Sequence, residues 1–309
     1  MGMGPDTFEI GIDEAGYGPL LGPLVIGAVR VEGPLQSLKA AARSRRREMP
    51  RILDSKVLYR GGEGIAELER TALCAWGLAR GRLPATVLEY WEGEVRASSS
   101  HPWYGNLGDS VPRSCSRSEV EDSVAVLGEE LRSLGAGLTF ARAFCHLEGF
   151  LNERLESLDN KADVHLDHIG NAMLAVLGAP GAGRINCDRL GGRQDYGAFL
   201  SRLFPFTPLA TECEEFAESR YAVGPEERRT VVRFMVNGER RSREVALASC
   251  LAKYGRELMM GCFNRTFTGA FDGLRPTAGY YGDARRFLRE LEAAAGADSG
   301  WRTRLCRRK

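Results

Sequence analysis

Residues 7–13, TFEIGID, alternate in character: Phe8, Ile10 and Ile12 fall on one side, and Glu9, Gly11 and Asp13 on the other. A period of two predicts a half-buried strand, here one that ends in acid. The turn AGYGPLLGP (15–23) follows, and the apolar run LVIGAVRV (24–31) predicts a second strand, so the chain opens as a hairpin. Asp13 and Glu14 are adjacent carboxylates at the strand end, where like charges repel. Both can reach one ion only if the strand ends and turns there. Gly16 and Gly18 permit such a turn and bring backbone amides near the surface, where a phosphate or ribose can approach. An isolated Asp-Glu pair is more often a plain acidic turn; two glycines and two Gly-Pro steps beside it favour a site.

Downstream, helical composition covers 36–48, 63–79, 119–134, 147–158, 163–177, 195–203, 242–264 and 283–295. Strand-like runs lie at 137–145, 184–188, 207–212, 219–223 and 230–236. Early hairpin strands followed by strands separated by helices predict an α/β fold with a mixed sheet. Residues 97–118, ASSSHPWYGNLGDSVPRSCSRS, lack periodicity and read as a long surface loop or insertion. One domain is expected over 1–295, with a basic tail over 296–309.

Charge narrows the partners little, because 42 basic and 41 acidic residues leave a net charge of +1. Two runs stand out, Arg43, Arg45, Arg46, Arg47 and Arg51, and Arg302, Arg304, Arg307, Arg308 and Lys309. Each can contact phosphates or lie solvated. The eight cysteines form no CxxC pair, which argues against a zinc ribbon. His165 and His168 can share a helix face, but further zinc ligands are missing. With no apolar run of membrane length and no charged leader, a reduced, cytoplasmic, membrane-free protein is expected.

GIDEAGYGPLLGP (11–23) resembles the DEAGRGP signature of ribonucleases HII and HIII. Asp54-Ser55-Lys56 resembles that family's DSK, and Asp188, ending an apolar strand, its third carboxylate. ASCLAKYGRE (248–257) resembles its helix ASILAKVTRD, and the GYY at 279–281 its Gly-Tyr element. Independently of any family, Leu247, Leu251, Leu258 and Cys262 make an apolar helix face, with Ser249, Lys253 and Glu257 as a polar stripe beside it. That stripe alone reads as a surface ion pair between Lys253 and Glu257.

The resemblance implies a ribonuclease-H-like mixed sheet flanked by helices, with a C-terminal helical portion. It implies an endonuclease that hydrolyses the RNA strand of RNA–DNA hybrids, including single ribonucleotides in duplex DNA, with two Mg²⁺ or Mn²⁺ ions. Asp13, Glu14, Asp188 and Glu257 would be the catalytic metal ligands. Gly16, Tyr17, Gly18, Ser55, Lys56, Lys253 and Tyr280 would contact substrate, with Tyr281 competing for the last role. Tyr17 stands where the family has Arg, Glu257 where it has Asp, and Arg189 follows Asp188 where it has Gly. A nucleic-acid-binding relative with altered catalysis is the alternative, and protein partners stay open.

Overall fold

The structure is a computed structural model and describes residues 7–59, 64–92, 95, 101–105, 107–158, 160–178, 182–296 and 300–308. Its centre is a seven-stranded mixed sheet built from β1 (Thr7–Ala15), β2 (Leu24–Glu32), β3 (Gly137–His146), β4 (Ala182–Asp188), β5 (Leu209–Glu214), β6 (Glu218–Val223) and β7 (Thr230–Met235), in the order β3-β2-β1-β4-β7-β6-β5. β2 is antiparallel to both β1 and β3, whereas β4 runs parallel to β1 and to β7. The parallel trio places the C-terminal ends of β1, β4 and β7 along one edge. β6 is antiparallel to β7 and to β5.

Around the sheet lie α1 (Ser37–Ala41), α2 (Ser55–Leu58), α3 (Ile65–Arg80), α4 (Val87–Trp91), α5 (Arg117–Ser133), α6 (Glu148–Leu158), α7 (Lys161–Leu177), α8 (Gly197–Leu203), α9 (Gly238–Arg241), α10 (Arg243–Ala270), α11 (Tyr281–Ala295) and α12 (Trp301–Leu305). Phe8, Ile10 and Ile12 face α7 and α8 in one apolar cluster with Met173, Ile185 and Phe199. On the other face α10 crosses β1 and β2 at two glycines. A Cβ on Gly11 would lie 2.0 Å from the carbonyl carbon of Glu244, and one on Gly27 1.9 Å from the Ala248 oxygen. Only residues without side chains let the helix sit this close, and the closeness fixes its height over the strand ends. This is the expected mixed sheet flanked by helices, with a helical C-terminal portion.

Three expectations need correction. The helix expected over 36–48 closes at Ala41. Four arginines within 43–47 leave the chain no apolar stripe to bury there. The segment 97–118 does not lie wholly on the surface where it is described, because buried side chains anchor an otherwise largely exposed stretch; positions 97–100 and 106 lie outside the described residues. Trp103 and Tyr104 are buried, Leu107 and Val111 enter the same core, and Ser116 caps α5. Finally, residues 301–308 do not form a free tail. Leu305 is buried, Arg302 pairs with Glu292, Arg308 with Glu156, and Arg307 is almost fully buried. Among the described residues no helix is long and apolar enough to cross a membrane.

Candidate carboxylate site

Parallel register builds the site. Ile12 of β1 pairs with Cys187 of β4, and Cys187 with Phe234 of β7, so the next residues on the first two strands are Asp13 and Asp188. β7 continues through Val236 and Asn237, whose left-handed backbone (φ 54) turns the chain into α9. Gly238 then donates its N–H to Asp188 Oδ1 at 2.7 Å, and the next residue is Glu239. A Cβ on Gly238 would lie 3.1 Å from that same Oδ1. Glu239 Oε1 stands 2.5 Å from Ser249 Oγ of α10, which stands 2.9 Å from Ser55 Oγ of α2.

The carboxylates sense one another. Burial raises the Asp13 carboxyl well above its ordinary value, reinforced by the charges of Glu14, Glu239 and Asp188 and by a hydrogen bond shared with Glu239. Burial, then Asp188 and Glu239, pushes Glu14 up to about 8. Asp188 is raised by burial against the opposing Gly238 hydrogen bond, and Glu239 by burial and its contact with Asp54. Lys56 is a nearby cation: Glu239, then Asp13, Asp54 and Asp188, hold its ammonium charged. Asp54 accepts the Lys56 backbone N–H at 2.9 Å and so fixes the first turn of α2.

β1 runs on to Ala15, so the turn does not begin at Asp13, as the sequence suggested. Asp13 faces α10, whereas Glu14 turns toward α7, its Oε2 lying 3.8 Å from His165 Nε2. Two oxygens of this pair, Asp13 Oδ2 and Glu14 Oε2, are buried without a hydrogen-bond partner. Leaving these oxygens buried and unpaired disfavours their charged forms, a cost that a bound cation would offset. Hard divalent ions take carboxylate oxygens as ligands, so the donor set fits Mg²⁺ or Mn²⁺. Among the described residues no group of three or more His, Cys, Asp or Glu side chains is arranged to hold an ion as it stands.

Glu257 is placed elsewhere. It lies eight residues beyond Ser249 on α10, about 12 Å along the helix axis. Its carboxylate takes Lys253 Nζ at 2.8 Å and the Tyr59 hydroxyl at 3.3 Å, and Lys253 also sits 4.4 Å over the Tyr59 ring. The structure therefore gathers Asp13, Glu14, Asp188, Ser55 and Lys56, and sets Glu257 and Lys253 apart as an i,i+4 ion pair. Gly16, at φ +96, has no room for a Cβ, which would come 2.5 Å from the Pro23 oxygen, whereas Gly18 opens to free space. Tyr17 stacks on His165, with ring centroids 4.5 Å apart. Tyr280 and Tyr281 are both half-exposed at the start of α11, and the Arg256 guanidinium lies 5.5 Å over Tyr280.

Glu239 is the residue that sequence reasoning missed. The available signal was TVVRFM followed by VNGE: an apolar strand, a turn-forming Asn-Gly and an acid, the same strand-then-acid pattern seen at Asp13 and Asp188. The turn at Asn237, just past the end of a third parallel strand, brings this acid back beside the other two.

No family model and no curated protein matches the sequence. Among solved structures, the chain is similar to one from the PCNA–RNase HII complex of Archaeoglobus fulgidus, at 16% identity and a TM-score of 0.45, covering 98% of this chain and 94% of that one. The ribonuclease H2 of Pyrococcus horikoshii OT3 is similar at 15% identity and a TM-score of 0.41, over 92% and 87%. Bst-RNase HIII in complex with Mn²⁺ is similar at 16% identity and a TM-score of 0.41, over 99% and 67%. The solved structures to which this chain is similar thus include ribonucleases HII and HIII, the family whose motifs its sequence resembles.

Proposed function

We propose that this chain is a divergent ribonuclease HII/HIII-type endonuclease that cuts the RNA strand of RNA–DNA hybrids and single ribonucleotides embedded in duplex DNA. The observation that carries the reading is the meeting of Asp13, Asp188 and Glu239 at the ends of three adjacent parallel strands, with Glu14 beside them and buried carboxylate oxygens left unpaired. Asp13, Glu14, Asp188 and Glu239 would hold the ions; Glu239 takes the place first given to Glu257. Two divalent ions so held supply a Lewis acid for the phosphate and a lowered pKa for the attacking water.

The chain's own groups do the rest. Gly238 and Ser249 orient Asp188 and Glu239 through their hydrogen bonds, so two ligands are fixed before substrate arrives. Lys56 places a cation against the carboxylates, where it balances their charge or meets a phosphate oxygen. Gly18, with open space around its α-carbon, lets a ribose come close to the backbone, and the Tyr17 ring offers a face for stacking.

The test is incubation with Mg²⁺ or Mn²⁺ and three duplexes: a hybrid, a DNA duplex with one ribonucleotide, and an all-DNA duplex. Cutting of the first two alone, abolished by Asp13→Asn with hybrid binding retained, supports the reading. A fully active Asp13→Asn variant overturns it, and binding without cutting under either ion establishes the nucleic-acid-binding alternative.

A further inference from the structure

The turn of residues 16–22 is clamped by a side chain almost three hundred positions away. Arg307 lies just beyond α12 and is 6% exposed. Its guanidinium donates to the carbonyl oxygens of Gly16, of Tyr17 at 2.8 Å and of Gly22 at 3.5 Å, and its backbone N–H donates to the Leu20 oxygen at 2.9 Å. Four carbonyls of one turn therefore point at one residue. The segment that brings Arg307 there is itself fixed: the Asn152 side chain donates to the Cys306 oxygen at 3.0 Å and accepts from the Arg308 N–H at 2.8 Å.

The same turn is held from its amide side by a buried acid. Gly22 donates its N–H to Glu148 Oε1 at 3.1 Å, and the Tyr104 hydroxyl donates to the same oxygen at 2.6 Å. A buried cation and a buried anion thus grip opposite polarities of one backbone segment. Burying both is costly, and a glycine turn needing only to reverse the chain requires neither. What the clamp does fix is direction: it holds Tyr17 against His165 and keeps the turn beside Glu14.

We propose that Arg307 is a positioning residue for substrate binding, acting through the Gly16–Gly18 turn. The inference rests on the nuclease reading for its substrate, but the clamp itself is measurable without activity. With the full chain, hydrogen exchange of the amides of residues 16–22 is compared between wild type and Arg307→Ala, alongside KM and kcat on the single-ribonucleotide duplex. The expected result is at least tenfold faster exchange in the turn. KM is expected to rise tenfold or more with kcat changed less, and millimolar guanidinium is expected to restore part of the loss. The effect of Arg307→Ala should also shrink in a Tyr17→Ala background, because the two act through one turn.

Unchanged exchange in the turn overturns the proposal. So do a lower melting temperature with unaltered KM and kcat, or additive effects of the two substitutions. If Arg307→Ala does not fold, Arg307→Lys, which keeps the charge but loses the fork of donors, carries the same comparisons. A wild type that neither binds nor cuts any duplex removes the nuclease reading and the substrate role with it, while the exchange result still decides whether Arg307 holds the turn.

Discussion

Ser249 Oγ stands 2.5 Å from Glu239 Oε1, joining the second turn of α10 to an acid delivered by the turn after β7. Ser249 is itself buried, so its hydroxyl has no water to turn to. Groups that orient a metal ligand from behind typically contribute 10–100-fold in metal affinity. Ser249→Ala should therefore weaken Mn²⁺ binding by about 10–100-fold while changing the melting temperature of the metal-free protein little, as read by calorimetric titration and thermal melts.

Glu14 ties stability to pH. Its carboxyl is raised from 4.5 to about 8 by burial first and then by Asp188 and Glu239. The folded chain holds a proton there that the unfolded chain has released, so this contribution is complete below the unfolded value and is lost as pH rises through the folded one. Thermal melts of metal-free protein should show this loss between about pH 5 and pH 8.5, and Glu14→Gln should flatten it. Mn²⁺, which needs the deprotonated form, should raise the melting temperature more at the upper pH than at the lower.

A second group titrates in the opposite sense. The imidazoles of His146 and His168 stack at 3.8 Å, and burial lowers them from 6.5 to about 3 and about 4 respectively. Depressed folded values mean that their stabilisation is present above the unfolded value and is lost as pH falls toward the folded ones. Acid melts should therefore destabilise the wild type below about pH 6.5, and His146→Phe, which keeps the stack, should remove part of that slope. A slope unchanged by the substitution would assign the acid loss to other groups.

The contact of α10 with the sheet predicts a backbone effect. A Cβ at Gly27 meets the Ala248 carbonyl oxygen at 1.9 Å, a backbone atom that cannot rotate away. Gly27→Ala should destabilise by about 1–3 kcal/mol or more, the range for forced repacking, in denaturant melts. The same substitution at Gly18, where nothing lies within 4 Å, should leave stability nearly unchanged.

Much of this was legible in the sequence because the signals were periodic. The alternation of Phe8, Ile10 and Ile12 placed β1 and its apolar face, but the strand is buried on both sides and not half-buried, because α10 covers the face of Gly11 and Asp13; the stripe on α10 placed its buried side. Two placements were not legible where periodicity says nothing. Trp103 and Tyr104 sit in a segment rich in Ser and Gly, yet two large aromatics suffice to draw it into the core, since each buries much apolar area. Glu257 shares a polar stripe with Ser249, but a stripe gives direction around a helix and not distance along it. Eight residues carry Glu257 about 12 Å along the axis from Ser249, and only the parallel register of β1, β4 and β7 reveals Glu239 as the acid that stands beside Asp13.

Mn²⁺ binding by wild type, Asp13→Asn, Glu239→Gln and Glu257→Gln, followed by electron paramagnetic resonance together with hybrid cleavage, tests the central claim most directly. Asp13→Asn and Glu239→Gln are predicted to lose binding and to cut at least about a hundredfold more slowly, whereas Glu257→Gln keeps both within a few-fold. Loss of Mn²⁺ in Glu257→Gln with full binding in Glu239→Gln would contradict the account.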